Sequence, residues 1–138
     1  METTLILTIT ILLLIAILFL VVRLNQKNIS KAKTKKILKR LEELQMEALS
    51  TENSVRRDAV IKLDNLLTKA LQYYYSNTLS CGENLKKAKT IFKKKEYNDL
   101  WEVHKVRNKI VHDDYDISEE EARRSYNTYK LSIVKIIR

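Results

Sequence analysis

The side chains best suited to chemistry lie in one short segment, residues 104–112. His104, Asn108 and His112 follow one another at four-residue steps, so a helix places them along one polar edge. Arg107 lies beside this edge. An imidazole can donate or accept a proton near neutral pH, and a planar guanidinium binds anions. The segment therefore offers proton transfer next to a bound anion as its candidate chemistry.

Arg107 also has a purely structural interpretation. At about 100° per residue, it falls inside the arc that the apolar side chains of residues 100–111 occupy. A guanidinium among aliphatic side chains loses its hydration unless an acceptor replaces the water. Asp64 is the inward-facing acid that the sequence offers, at the margin of the apolar face of the preceding long helix. Geometry alone favours an Arg107–Asp64 ion pair between two helices.

A membrane anchor precedes these residues. Residues 5–22 contain no charged side chain, and Thr8 and Thr10 are the polar ones among them. A helix of this length extends about 27 Å, close to the roughly 30 Å of a bilayer's hydrocarbon core. A signal peptide would show a basic segment before the apolar run and a small-residue cleavage site after it, and this sequence has neither feature. The sequence predicts a short extracytoplasmic N-terminus, residues 1–4, and a transmembrane helix over residues 5–22.

The residues that follow the predicted span are strongly basic. Of the net charge of +9, only +2 lies after residue 40, where 18 basic residues face 16 acidic ones. The positive-inside rule therefore places the chain after the span in the cytoplasm. Anionic lipid headgroups are the expected partner of this juxtamembrane cluster, although such a cluster also binds RNA non-specifically. Its members are Arg23, Lys27, Lys31, Lys33, Lys35, Lys36, Lys39 and Arg40.

The rest of the chain predicts helices. With one glycine and no proline, it lacks the residues that tight hairpin turns require. The predicted fold class is all-α: a transmembrane helix, a basic amphipathic helix or linker over residues 23–52, and a bundle of four to five helices over residues 53–138. One apolar seam in the linker is expected to pack onto the domain that follows, and it consists of Ile37, Leu41, Leu44 and Ala48.

A six-residue stretch of the penultimate helix resembles a known motif. The stretch is Arg107-Asn108-Lys109-Ile110-Val111-His112. It is similar to the Arg-polar-x-x-x-His motif of HEPN domains, which are compact helical bundles and in many cases metal-independent ribonucleases. The run 104–113, followed by Ser118 and an acidic capped helix, also resembles small bacterial membrane proteins with an anchor, a basic stretch and one such bundle. The resemblance covers roughly residues 55–138.

This resemblance implies roles for three residues. In catalytic HEPN domains, the Arg and His line a cleft that two protomers usually compose, which implies a homodimer. His112 would move a proton as the RNA 2′-hydroxyl attacks the neighbouring phosphorus, Arg107 would stabilise the phosphate charge, and Asn108 would orient the site. The implied activity is a metal-independent endoribonuclease. Other HEPN domains keep the motif for packing, so a non-catalytic scaffold that binds a protein partner is the alternative.

The remaining candidates are weaker. His104, Asn108 and His112 do not form a convincing set of metal ligands, and Cys81 lacks the context of a nucleophile, so no metal and no cofactor is predicted. A tyrosine run, residues 73–75, could stack bases, but Tyr74 is predicted to lie on the apolar face of the long helix that contains Asp64. A lysine-rich stretch could contact RNA or lipid, or form an ordinary solvated face. Its members are Lys86, Lys87, Lys89, Lys93, Lys94 and Lys95.

Overall fold

The structure is a computed structural model that describes residues 1–24 and 29–138. Lys27 of the juxtamembrane cluster lies outside the described residues. Within them the secondary structure is helical, without strands, so the predicted all-α class is confirmed. A 3-10 turn, Ala88–Thr90, follows the fourth helix. The α-helices of the described residues are α1 (Glu2–Leu24), α2 (Lys31–Ala48), α3 (Asn53–Tyr75), α4 (Cys81–Lys87), α5 (Lys94–His112) and α6 (Glu119–Ile137).

Helix α1 is apolar on all of its sides. Among the described residues it is the one helix long and apolar enough to cross a membrane, with a mean hydropathy of 3.1 in an 18-residue window of Glu2–Val21 and none of that window buried. The hydroxyls of its two central threonines form hydrogen bonds to carbonyls of the same helix. Thr8 and Thr10 donate to the carbonyls of Leu5 and Leu7, each at 2.8 Å. Such internal bonds remove the cost of placing hydroxyls in an apolar medium.

Helix α3 is the centre of the bundle, because it packs against α2, α4, α5 and α6. A broad apolar face makes this possible, as the residue spacing predicts. Tyr74 was assigned to that face, and this assignment is wrong, since Tyr74 is 39% exposed. The buried apolar residues of α3 are Ala59, Val60, Leu63, Leu66, Leu67, Ala70 and Leu71.

Helix α2 is part of the same bundle. Its apolar seam is buried, and the helix packs against α3 and α6. The structure thus contains the packing of this seam onto the following helices that the sequence predicts. Helices α2 and α3 run antiparallel. Lys33 lies over the Tyr73 ring at one end of the pair, and Lys62 contacts Glu47 at 2.8 Å at the other end.

A buried arginine forms hydrogen bonds to two loops. Arg56 is 7% exposed and is surrounded by backbone carbonyls. Its Nε and Nη2 donate to the carbonyl of Ile117 at 3.1 and 2.9 Å, and its Nη1 donates to the carbonyls of Ser50 and Thr51 at 3.0 and 2.7 Å. These bonds join the α2–α3 loop to the segment before α6, so Arg56 holds α6 in register with α3.

We expect Arg56→Ala to lower the free energy of unfolding by about 2–3 kcal/mol, because it leaves several carbonyls without a charged donor. Urea unfolding of the chain lacking residues 1–28 measures the change. Arg57→Ala is the matched control, since Arg57 makes its ion pair with Asp114, a residue at the surface, and it should cost less than about 1 kcal/mol. Equal losses in the two variants would contradict the role given to Arg56.

Candidate functional site

One buried carboxylate connects four helices. Asp64 on α3 is 2% exposed, and its Oδ1 is the acceptor for three side chains. The Nδ1–H of His104 on α5 donates to it at 2.8 Å, and the Tyr129 hydroxyl on α6 lies 3.0 Å away. The Cys81 thiol at the start of α4 approaches the same oxygen at 3.7 Å. A buried charge with this many partners fixes the relative positions of α3, α4, α5 and α6.

The second oxygen of Asp64 faces Arg107. The Arg107 Nε lies 3.6 Å from Asp64 Oδ2, within ion-pair distance but too far for a good hydrogen bond. Among the described residues this Nε is the one buried side-chain polar atom without a hydrogen-bond partner. At the other end of the guanidinium, Nη1 donates to Asn108 Oδ1 at 3.0 Å. With 26% of the side chain exposed, Arg107 lies at the border between the Asp64 network and solvent.

Sequence reasoning missed the burial of His104. The helical wheel placed it on a polar edge, whereas the structure buries it to 9% exposure and turns its Nδ1 to Asp64. Its ring also meets Trp101 edge-on, with centroids 5.7 Å apart. Asp64 was the sequence feature that could have indicated this contact. An inward-facing acid needs more than one donor, and His104 lies one turn before Arg107.

Tyr129 completes the network from α6. Its hydroxyl lies within hydrogen-bond distance of Asp64 Oδ1 and, at 3.2 Å, of the Val103 carbonyl. Burial raises the pKa of this phenol well above its ordinary value, and the nearby carboxylate raises it further. Tyr129 therefore stays protonated and acts as a donor in the core.

The network contains the residue types of a metal site. One atom each from Asp64, Cys81 and His104 lies within 4.8 Å of the others, a spacing that one ion could bridge. Burial, followed by the charge of Asp64, raises the pKa of the Cys81 thiol to about 12. A metal requires the thiolate, and the Arg107 cation adjoins the same carboxylate. These features fit a hydrogen-bond network better than a metal centre.

We expect Cys81 to react slowly with thiol reagents in the folded chain. The thiolate is the reactive species, and a pKa near 12 leaves very little of it at pH 8. Burial adds a steric barrier, so the rate should be at least about 100-fold lower than in urea. Ellman's reagent measures both rates. A cysteine introduced by Asn127→Cys, at an exposed position of α6, is the control and should react quickly; a similar rate at Cys81 would disprove the assignment.

The remaining motif residues lie towards the end of α5. Asn108 is half-buried beside Arg107, and His112 is the exposed last residue of the helix. Within the described part of the chain, the His112 ring makes no hydrogen bond to another side chain. Arg107 and His112 are five residues apart, so they leave α5 in directions about 140° apart. The structure brings Arg107 and Asn108 together and leaves His112 to solvent.

The two lysine-rich regions are mostly at the surface. The lysines between residues 86 and 95 are exposed, and Lys95 contacts Asp99 at 3.3 Å. In the juxtamembrane cluster, Lys31, Lys33, Lys35, Lys36 and Lys39 are exposed on α2. Arg40 is half-buried and pairs with Glu43 at 2.8 Å. These cations remain open to anionic ligands.

Comparison of this chain with protein-family models, with curated proteins and with solved structures gives no match. The resemblance to HEPN domains therefore depends on residues 107–112 and on the order of the helices around them. The function of the chain has to be inferred from the groups around Asp64, Arg107 and His112.

Proposed function

We propose that this chain is a membrane-anchored module that cleaves RNA without a metal. The supporting observation is the position of Arg107. One side of its guanidinium faces Asp64 Oδ2 at ion-pair distance and the other donates to Asn108, while about a quarter of the side chain stays exposed. A cation fixed in this way can bind a phosphate without first paying the entropy of ordering a free arginine side chain.

His112 supplies the proton transfer in this proposal. The RNA 2′-hydroxyl loses its proton to an imidazole and attacks the adjacent phosphorus, which forms a 2′,3′-cyclic phosphate. The bond from phosphorus to the 5′-oxygen breaks, and that oxygen takes up a proton from an imidazolium, so the protons balance. Arg107 stabilises the negative charge that develops on the phosphate oxygens. DNA lacks the attacking hydroxyl and is not a substrate.

A homodimer is part of the proposal. Arg107 and His112 of one copy leave α5 on different sides, as their five-residue spacing dictates. A second copy that packs beside α5 would place its own imidazole near the first copy's guanidinium. The resemblance to HEPN domains implies the same composite cleft.

The proposal includes an orientation with the bundle in the cytoplasm. The exposed lysines of α2 follow α1 directly, and positive charge next to a span favours the cytoplasmic side. In a Cys81→Ser background, a membrane-impermeant maleimide should label Thr3→Cys in intact cells. Lys35→Cys should be labelled only after the cells are permeabilised. Labelling of Lys35→Cys in intact cells would reverse the orientation.

A non-catalytic scaffold that binds a protein partner is the second candidate. The observation in its favour is that the Arg107 Nε faces the buried Asp64, which gives Arg107 a structural role that needs no substrate. In this interpretation the exposed His112 has no chemical task, and the anchor serves to place a binding surface at the membrane.

Turnover separates the two candidates. The full chain in detergent is incubated with single-stranded RNA and with DNA of the same sequence, with and without EDTA. The ribonuclease proposal predicts that the RNA is cut under both conditions and that the DNA stays intact. The absence of any cleavage favours the scaffold, and cleavage that EDTA abolishes would contradict the metal-independent mechanism.

A further inference from the structure

A basic groove lies between α2 and α3, on helices that the α5 site does not use for its proposed reacting groups. Its volume is about 380 Å³, within the range of small-molecule sites. Five cations face one carboxylate around it, and two aliphatic side chains contribute apolar surface. The lining residues are Lys33, Lys36, Ile37, Lys39, Arg40, Glu43, Leu66, Lys69 and Tyr73.

We propose that this groove binds the headgroup of an anionic phospholipid from the membrane that α1 enters. The cations of the groove are only partly neutralised by the protein. Arg40 pairs with Glu43, and Lys33 lies 4.3 Å above the Tyr73 ring. Within the described residues, no carboxylate lies within 4.0 Å of the ammonium groups of Lys36, Lys39 or Lys69. A phosphate supplies the missing negative charge.

The chain connectivity favours a lipid over a soluble anion. Lys33 follows the last residue of α1, Leu24, by nine residues, so it lies at most about 32 Å from that residue. A groove tethered this closely meets lipid headgroups at a high local concentration.

The partners from α3 make this a discrete site. Lys69 and Tyr73 lie outside the juxtamembrane segment in sequence, yet they line the groove opposite the lysines of α2. A simple electrostatic attraction would depend on the number of charges alone. A built groove depends on where those charges are, and this difference can be measured.

The test uses the full chain in a neutral detergent and native mass spectrometry with added lipid. The chain should retain phosphatidylglycerol in preference to phosphatidylcholine. The double variant Lys36→Gln/Lys69→Gln should bind phosphatidylglycerol at least about tenfold more weakly, since each lysine near a lipid surface contributes substantially. The control Lys105→Gln/Lys130→Gln removes the same charge from exposed positions of α5 and α6, outside both lysine-rich regions, and should leave binding unchanged. All of these lysines are exposed, so circular dichroism should show unchanged helix content.

Three results would overturn the proposal. Equal losses in the two double variants would show general charge attraction. Equal retention of phosphatidylcholine would show that the net negative charge of the headgroup does not determine binding. Full competition by inorganic phosphate or by short RNA would assign the groove to another ligand. Because the groove variants do not alter Arg107, Asn108 or His112, cleavage of RNA is tested separately and can fail or succeed independently.

Discussion

Replacing Asp64 with alanine should lower the free energy of unfolding by about 3–5 kcal/mol, the range seen when one partner of a buried ion pair is removed. The change deprives His104, Tyr129 and Cys81 of their shared acceptor and leaves the buried Nε of Arg107 without its counter-charge. Asp64→Asn should cost less, because the amide keeps an acceptor oxygen while losing the charge. Urea unfolding of the chain lacking residues 1–28 measures the loss.

The control for this change lies on the same helix. Asp58 is exposed and pairs with Lys62, so Asp58→Ala should cost less than about 1 kcal/mol. Tyr129→Phe, which removes one donor from the network, should cost about 1 kcal/mol. Similar losses for Asp64→Ala and Asp58→Ala would show that the network does not organise the bundle.

The second large effect is expected on activity. His112→Ala should reduce cleavage of RNA by at least about 100-fold, the usual contribution of a general acid or base. The exposed position of His112 at the end of α5 means that helix content and stability should be retained. Lys109→Gln is the matched control, since it changes an exposed neighbour on the same helix turn and should keep most of the activity. Equal residual cleavage by the His112→Ala variant and the unaltered chain would reveal a contaminating nuclease.

The helices and much of the core could be predicted from residue spacing. The seam of α2 and the broad face of α3 are buried where periodicity placed them, because each depends on the local geometry of one helix. Tyr74 marks the limit of this reasoning. It lies one residue before the end of α3 on the face of the buried leucines, and yet 39% of it is exposed.

Residue spacing predicted only part of the site. Asp64 and Arg107 could be paired, since each is a charged residue near an apolar face and each needs the other. The need of Asp64 for a second donor pointed to His104, but helix periodicity placed His104 on a polar edge, because periodicity does not show where α4 and α6 bring Cys81 and Tyr129. Arg56 gave no signal either, since its partners are backbone carbonyls, which leave no residue pattern in a sequence.

The measurement that tests the central claim most directly is the chemical identity of the RNA ends. The full chain in detergent is incubated with a single-stranded RNA in EDTA, and the fragments are analysed by mass spectrometry. Attack by the 2′-hydroxyl predicts fragments that end in a 2′,3′-cyclic phosphate, formed by the unaltered chain and not by its His112→Ala variant. Fragments that end in a 3′-hydroxyl, or cyclic phosphate ends produced equally by both proteins, would contradict a ribonuclease that uses His112.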